Sequence, residues 1–137
     1  MPTILCVDDD PCITRSIEIH LSNYEVNVKQ ECCGRLGFWD VFDLKPDLII
    51  SDINMPDGDG VHFLQQLKSN SQTAHIPVLI LTGRRDPQLK GRMKNLGAAA
   101  FLNKPVHFDL LLKEIRRHIS FKEIDWSSKD KPAEQAD

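Results

Sequence analysis

The sequence predicts an α/β fold: a doubly wound parallel sheet of five strands with helices on both faces, in three α/β/α layers. Apolar runs typical of strands alternate five times with segments of helical periodicity, which indicates repeated βα units. Two of these runs are almost entirely apolar, as expected of central strands buried on both faces. We expect the strand order 2-1-3-4-5, which is common among doubly wound folds. The predicted strands are 3–8, 25–30, 47–52, 77–82 and 99–103.

The segments between these strands carry signals of helix starts. Asp10-Pro11 and Asp86-Pro87 each combine an N-cap residue with a proline at the first helical position. Two further helices are predicted to begin near Asp59-Gly60 and near Phe108-Asp109, each with apolar residues at helical spacing. The helix predicted near 34–44 is weaker, because an internal glycine costs about 1 kcal/mol relative to alanine.

Length and composition restrict the classes of protein to consider. The 137 residues are enough for one domain, which we assign to residues 1–120, with 121–137 as an extension of the last helix and a polar tail or linker. A net charge of −3 and 7% aromatic residues do not favour direct nucleic-acid binding. There is no apolar run of membrane-spanning length and no signal-peptide pattern, so we expect a cytoplasmic protein with no membrane partner.

Polar side chains follow four of the predicted strands at the point where each strand ends. They are Asp8-Asp9, Asp52, Thr82 and Lys104. In an open parallel sheet the carboxyl ends of the strands line the ligand crevice. We therefore expect three acids, one hydroxyl and one amine to converge on one pocket.

This set of groups suits a cation and a phosphoryl group. Two unit charges 4 Å apart repel by about 4 kcal/mol at an effective dielectric near 20, so clustered carboxylates either stay partly protonated or bind a cation. An all-oxygen acidic site open to water suits Mg²⁺. A carboxylate beside Mg²⁺ and an amine can attack phosphorus and form an aspartyl phosphate. Mg²⁺ and Lys104 would then neutralise the transferring oxygens, and Thr82 would donate a hydrogen bond to them.

Four sequence motifs carry these residues, and together they resemble the receiver domain of two-component response regulators from residue 3 to about residue 120. The motifs are ILCVDDDP at 4–11, PDLIISDINMPDGDG at 46–60, IPVLILTG at 76–83 and LGAAAFLNKP at 96–105. The resemblance implies a flavodoxin-like (βα)5 fold and a switch driven by phosphorylation.

The resemblance also implies a role for each site residue. Asp52 resembles the phosphoacceptor and Lys104 the amine that pairs with the phosphoryl group. Asp9 resembles a direct Mg²⁺ ligand, whereas Asp8 is expected to act through water. Asn54 resembles the residue whose backbone carbonyl completes the metal site.

Two further positions resemble the switch residues of the family. Thr82 resembles the switch hydroxyl, and Phe101 the aromatic residue that turns inward when the hydroxyl moves. The peptide bond Lys104–Pro105 is similar to the cis bond of the family, a form that costs X–Pro bonds only about 0.5–1 kcal/mol.

Two positions depart from the commonest family pattern. Gly83 stands where a somewhat larger small residue is usual, so we expect it to leave room at the phosphoryl group and to loosen the loop. Arg84, two residues after Thr82, adds a cation near the mouth of the pocket. Because Asn54 and Arg84 occupy the positions that tune phosphoryl lifetime in this family, we expect the pair to contribute to that lifetime here.

The resemblance implies protein partners. A histidine kinase or a histidine phosphotransfer protein would donate the phosphoryl group, and an output domain or partner protein would bind the face around the fourth and fifth helices. The chain would act as a monomer or as a phosphorylation-dependent dimer. Five basic residues near the fourth helix fit either a docking surface or a solvated face; they are Arg84, Arg85, Lys90, Arg92 and Lys94.

Two other functions are compatible with parts of the pattern. One is a Mg²⁺-dependent phosphatase with an aspartyl nucleophile, of the haloacid-dehalogenase type. Such enzymes need a second acid two residues after the nucleophile, where this sequence has Asn54. The other is a degenerate receiver that acts only as a binding module, against which the intact set of site residues argues.

Overall fold

The computed structural model describes residues 1–55 and 60–127, and in it five strands form one sheet in the order β2-β1-β3-β4-β5. Every pairing is parallel, so the predicted order and direction are confirmed. The strands end within two residues of the predicted limits, and β3 and β4 are buried along their whole length. They are β1 (Thr3–Val7), β2 (Asn27–Glu31), β3 (Leu48–Ser51), β4 (Val78–Thr82) and β5 (Ala100–Asn103).

Five helices connect and follow these strands. They are α1 (Pro11–Leu21), α2 (Gly34–Leu44), α3 (Gly60–Ser69), α4 (Pro87–Asn95) and α5 (Phe108–Arg116). Asp10 and Asp86 cap α1 and α4 as predicted, because each side chain accepts a hydrogen bond from a backbone N–H of the first turn. The predicted start of α3 at Asp59 lies outside the described residues. Among the described helices, none is long and apolar enough to cross a membrane.

The apolar side chains form one core on each face of the sheet. Successive residues of a strand point into opposite cores. Ile4 faces the core beneath α1 and α5, whereas Leu5 faces the core beneath α2, α3 and α4. Phe63 of α3 and Met93 of α4 are fully buried in the second core. This arrangement confirms the predicted three layers, and it leaves the carboxyl ends of the strands uncovered by either core.

The chain after α5 corrects one prediction. Helix α5 ends at Arg116, and residues 121–124 run antiparallel to the α1–β2 loop, so the predicted helical extension is wrong over residues 121–127. The N–H of Glu25 donates to the carbonyl of Lys122 at 2.7 Å, and Phe121 packs edge-on against Tyr24. The guanidinium of Arg116 lies over both rings and stabilises the chain where it turns back. Residues 128–137 lie outside the described residues.

Helix α3 starts in direct contact with the end of β3, and this contact predicts opposite effects for two glycines. A Cβ on Gly60 would collide with the carbonyl of Asp52 and lie 2.7 Å from Cα of Ile53. A Cβ on Gly91, inside α4, would meet nothing within 4 Å. We expect Gly60→Ala to lower the free energy of unfolding by roughly 1–3 kcal/mol and Gly91→Ala to raise it by roughly 0.5–1 kcal/mol. Urea unfolding measures both, and equal effects of the two substitutions would contradict the close approach.

Two neighbouring acids, Glu31 at the end of β2 and Asp40 within α2, predict a pH effect on stability. The nearby carboxyl of Glu31, with a contribution from burial, raises the pKa of Asp40 from 3.8 to about 6. One oxygen of Asp40 is buried without a hydrogen-bond partner among the described residues. The folded chain therefore binds a proton more tightly than the unfolded chain, and this contribution to stability is lost as pH rises from about 4 to about 6.

Replacing this acid should therefore stabilise the protein only at the higher pH. We expect Asp40→Asn to raise the free energy of unfolding by roughly 0.5–1 kcal/mol near neutral pH, after allowance for solvent screening, and to have little effect near pH 4. Asp43→Asn, an exposed acid on the same helix, is the matched control. A gain of equal size at both pH values would show that repulsion from Glu31 is not the cause.

Candidate functional site

The predicted convergence of polar groups occurs at the carboxyl ends of the strands. Val7 pairs with Ser51 in the sheet, which places the next residues, Asp8 and Asp52, side by side on the two central strands. The ammonium group of Lys104, just after β5, lies between them. Its Nζ is 2.7 Å from Oδ2 of Asp8 and 3.1 Å from Oδ2 of Asp52.

Backbone amides orient the two buried carboxylates. The second oxygen of Asp8 accepts a hydrogen bond from the N–H of Asp10 at 2.9 Å. The second oxygen of Asp52 accepts one from the N–H of Ile53 at 2.6 Å. Each carboxylate is therefore held at one oxygen by the backbone and presents the other to Lys104.

Asp9 completes a cluster of three acids. One carboxylate oxygen from each of Asp8, Asp9 and Asp52 lies within 4.8 Å of the others. Asp8 and Asp52 are only 6% and 7% exposed, whereas Asp9 is open to solvent. The site is thus lined with oxygen ligands and reachable by water on one side, which are the properties that Mg²⁺ requires.

The balance of charge in the site is negative. Burial raises the pKa of Asp8, and this effect exceeds the opposing effect of the hydrogen bond and charge of Lys104. Burial of Lys104 acts to lower its pKa, but the hydrogen bonds and charges of Asp8 and Asp52 outweigh it, so the pKa is raised. The site therefore holds three acids but one ammonium group, which contacts only Asp8 and Asp52 among them, and an added cation would relieve the remaining repulsion.

The predicted switch residues occupy defined positions. Thr82 is fully buried at the end of β4, and its hydroxyl accepts a hydrogen bond from the N–H of Arg84 at 3.3 Å. Among the described residues, the Thr82 hydroxyl makes no hydrogen bond to Asp8, Asp52 or Lys104. The ring of Phe101 is 8% exposed and packs in the core beneath α4. The ring lies inside in this structure, and the role of Phe101 in switching stays a prediction.

The positions that depart from the commonest pattern are at the mouth of the site. Gly83 is exposed and a Cβ there would meet nothing within 4 Å, so its effect on the phosphoryl group and on the loop stays a prediction. Arg84 is exposed beside it, and Asn54 is exposed two residues beyond Asp52. The roles of Asn54 and Arg84 in phosphoryl lifetime stay predictions. The peptide bond between Lys104 and Pro105 is cis, as predicted.

The structure adds a residue that the sequence reasoning missed. The side-chain amide of Asn103, the last residue of β5, donates to the carbonyl of Arg84 at 2.6 Å and to that of Thr82 at 3.3 Å. The guanidinium of Arg85 donates to the carbonyl of Lys104 at 3.2 Å. The available signal was a single polar residue closing an otherwise apolar strand, directly before Lys104.

The five basic residues near α4 are all exposed, which fits either a docking surface or a solvated face. A separate groove, with a volume of about 530 Å³, lies between α1 and the loop that precedes α5, and it reaches Lys104. Apolar side chains such as Ile13 and Phe108 line it, together with His20 and His107. The acidic site is therefore approached from one side by an apolar groove.

Comparisons with known proteins agree with this geometry. A family model described as the response regulator receiver domain matches residues 4–116. The chain is 37% identical over 116 residues to the DNA-binding dual master transcriptional regulator RpaA of Synechocystis sp., covering 85% of this chain and 48% of that protein. It is 31% identical over 116 residues to the KDP operon transcriptional regulatory protein KdpE of Escherichia coli, covering 85% and 50%.

Solved structures give the same result. The chemotaxis protein CheY4 of Vibrio cholerae superposes with a TM-score of 0.81 at 32% sequence identity, covering 87% of this chain and 99% of that one. The chain spans about half the length of the two curated regulators, so their whole-protein activities do not transfer to it directly. The match over residues 4–116 is nevertheless most of the chain. The chain therefore belongs to the response regulator receiver domain family of two-component signalling.

Proposed function

We propose that this chain is a phosphorylation-driven switch in which Asp52 accepts a phosphoryl group from a histidine kinase or a histidine phosphotransfer protein. The observation that carries the proposal is the position of Lys104, whose amine bridges the buried carboxylates of Asp8 and Asp52. A single ammonium group beside clustered acids suits a reaction that brings phosphoryl oxygens into the site.

The chemistry follows from the orientation of Asp52. The N–H of Ile53 holds one carboxylate oxygen, so the other, which faces Lys104, is the nucleophile. This oxygen attacks the phosphorus of a phosphohistidine, the O–P bond forms as the N–P bond breaks, and the released imidazole nitrogen takes up a proton. Lys104 is within reach of the transferring oxygens and neutralises part of their charge.

The acid cluster suits Mg²⁺ as the cofactor. The side chains of Asp8, Asp9 and Asp52 provide an all-oxygen donor set, and the backbone carbonyl of Asn54 is the further ligand that we propose. When bound, Mg²⁺ supplies positive charge beside Asp52 and aligns the phosphoryl oxygens for transfer. Lys104 alone does not balance three acids, which supports the need for a metal.

The donor and the output would use different faces. The apolar groove between α1 and the loop before α5 reaches Lys104, so we assign it to the phosphoryl donor. We assign the face of α4 and α5 to an output domain or partner protein, with the chain a monomer or a phosphorylation-dependent dimer. We place the phosphoryl transfer in the cytoplasm, because this reducing compartment suits the four unpaired cysteines of the chain.

The aspartyl-nucleophile phosphatase is not favoured. That chemistry needs an acid two residues beyond the nucleophile, and Asn54 has no proton to shuttle. Membership of the receiver family supports signalling, in which the chain catalyses at most its own phosphorylation and slow dephosphorylation. A chain that acts only as a binding module would not need the arrangement of charges around Lys104.

Mg²⁺ should stabilise the folded protein through the acid cluster. At about 100 times its dissociation constant a ligand adds about 2.7 kcal/mol to the free energy of unfolding, so we expect the melting temperature to rise by several degrees. Asp9→Asn should remove most of this rise, because it removes one ligand. Asp10→Asn is the matched control, since asparagine also caps α1. An equal loss in both variants would mean that Mg²⁺ only screens surface charge.

Intact mass after incubation with Mg²⁺ and acetyl phosphate tests the nucleophile. We expect one phosphoryl adduct in the wild type and none in Asp52→Asn. Asp47→Asn, at the opposite end of the same strand, should be labelled normally. Repeated turnover of phosphate monoesters would instead favour the phosphatase, and an unlabelled wild type would favour the binding module.

A further inference from the structure

We propose that Asn103 is a positioning residue that holds Thr82 and Arg84 in the resting arrangement of the β4–α4 loop and thereby limits how readily Asp52 takes up a phosphoryl group. The inference rests on the proposed function of Asp52. Its physical basis is the Asn103 bridge, meaning the two hydrogen bonds from the side-chain amide of Asn103 to the carbonyls of Thr82 and Arg84.

The orientation of the Asn103 side chain is determined by its partners. Both are carbonyl oxygens, which only accept hydrogen bonds, so the amide nitrogen must face the loop. The bond to the carbonyl of Arg84 is 2.6 Å and the bond to that of Thr82 is 3.3 Å. The N–H of Lys104 also donates to the Thr82 carbonyl, at 2.8 Å. The start of the loop is therefore attached to the end of β5 at several points.

The bridge spans the glycine of this loop. Gly83 lies between the two carbonyls that Asn103 binds, and it is exposed with free space around it. A glycine at this position gives the backbone little intrinsic restraint. The side chain of Asn103 is half-buried and supplies that restraint from the neighbouring strand. Arg85 adds an exposed contact to the carbonyl of Lys104 at 3.2 Å.

The arrangement that the bridge holds is one in which the Thr82 hydroxyl faces its own loop. The hydroxyl accepts from the N–H of Arg84, while the carbonyl of Arg84 accepts from Asn103. Both backbone groups of Arg84 are therefore occupied. The hydroxyl keeps its own proton free to donate, but turning its oxygen towards a phosphoryl group on Asp52 breaks the bond from the N–H of Arg84. The Asn103 bridge holds Arg84 where that bond forms, and so opposes the change.

The aromatic switch position offers less scope for movement in this chain. Phe101 is already buried in the core beneath α4, so an inward rotation of its ring has little distance left to cover. A group that stabilises the resting loop lowers the population of the state that favours phosphorylation.

The test removes the amide while keeping a side chain branched at Cγ. Asn103→Leu cannot donate to either carbonyl, and Asn103→Ala checks that the result does not depend on leucine packing. We expect both to speed phosphoryl uptake from acetyl phosphate with Mg²⁺ roughly three- to tenfold, the factor that one hydrogen bond of this type is worth. Asn95→Leu, an exposed asparagine in the last turn of α4, is the matched control and should match the wild type.

A second measurement separates positioning from general loss of stability. Without phosphodonor, amide hydrogen exchange in residues 84–86 should be faster in Asn103→Leu, and exchange in β1 should be unchanged. If the wild type is labelled but both Asn103 variants take up the phosphoryl group at the wild-type rate or more slowly, this inference is overturned. The proposed function is then unaffected. A wild type that takes up no phosphoryl group would overturn the proposed function and this inference with it.

Discussion

The contact on which the site depends is the ammonium group of Lys104 between the carboxylates of Asp8 and Asp52. The two carboxylates end adjacent central strands, so the sheet itself forces them together, and both are largely buried. Without a cation between them, each would raise the cost of ionising the other. Lys104 offsets part of this repulsion and leaves the rest, so the folded site favours an added cation.

The strand order determines which side chain can make this contact. Because β4 lies between β3 and β5, Lys104 must reach across the end of β4 to meet Asp52. A flexible four-carbon chain carrying a compact charge can do so, and the residue beneath it, Thr82, is short and fully buried. A bulkier residue at the end of β4 would block the path. The same register that pairs Thr82 with Asn103 therefore positions the amine, the hydroxyl and the Asn103 bridge together.

The sequence was sufficient to predict the sheet and the acid cluster because both depend on local patterns. Apolar runs identify strands, and residues directly after strands meet at one edge. The turn of the chain after Arg116 and the amide of Asn103 were not predictable in this way. Each depends on a partner far along the chain, Tyr24 in one case and Arg84 in the other. Burial of Phe101 likewise depends on how α4 packs over β5, which periodicity does not specify.

Rigid and movable groups are separated within the site, and this separation limits the route a signal can take. Asp8 and Asp52 are each fixed at one oxygen by a backbone amide next to a central strand. Among the described residues, the Thr82 hydroxyl instead takes its hydrogen bond from the loop that follows it, at Arg84. A phosphoryl group on Asp52 would add negative charge where the charge is already negative, so it would attract the donors that can still move. Under the proposed function, the Thr82 hydroxyl and the loop held by Asn103 would meet this condition, and the β4–α4 loop would then be the route from the chemistry to the surface of α4.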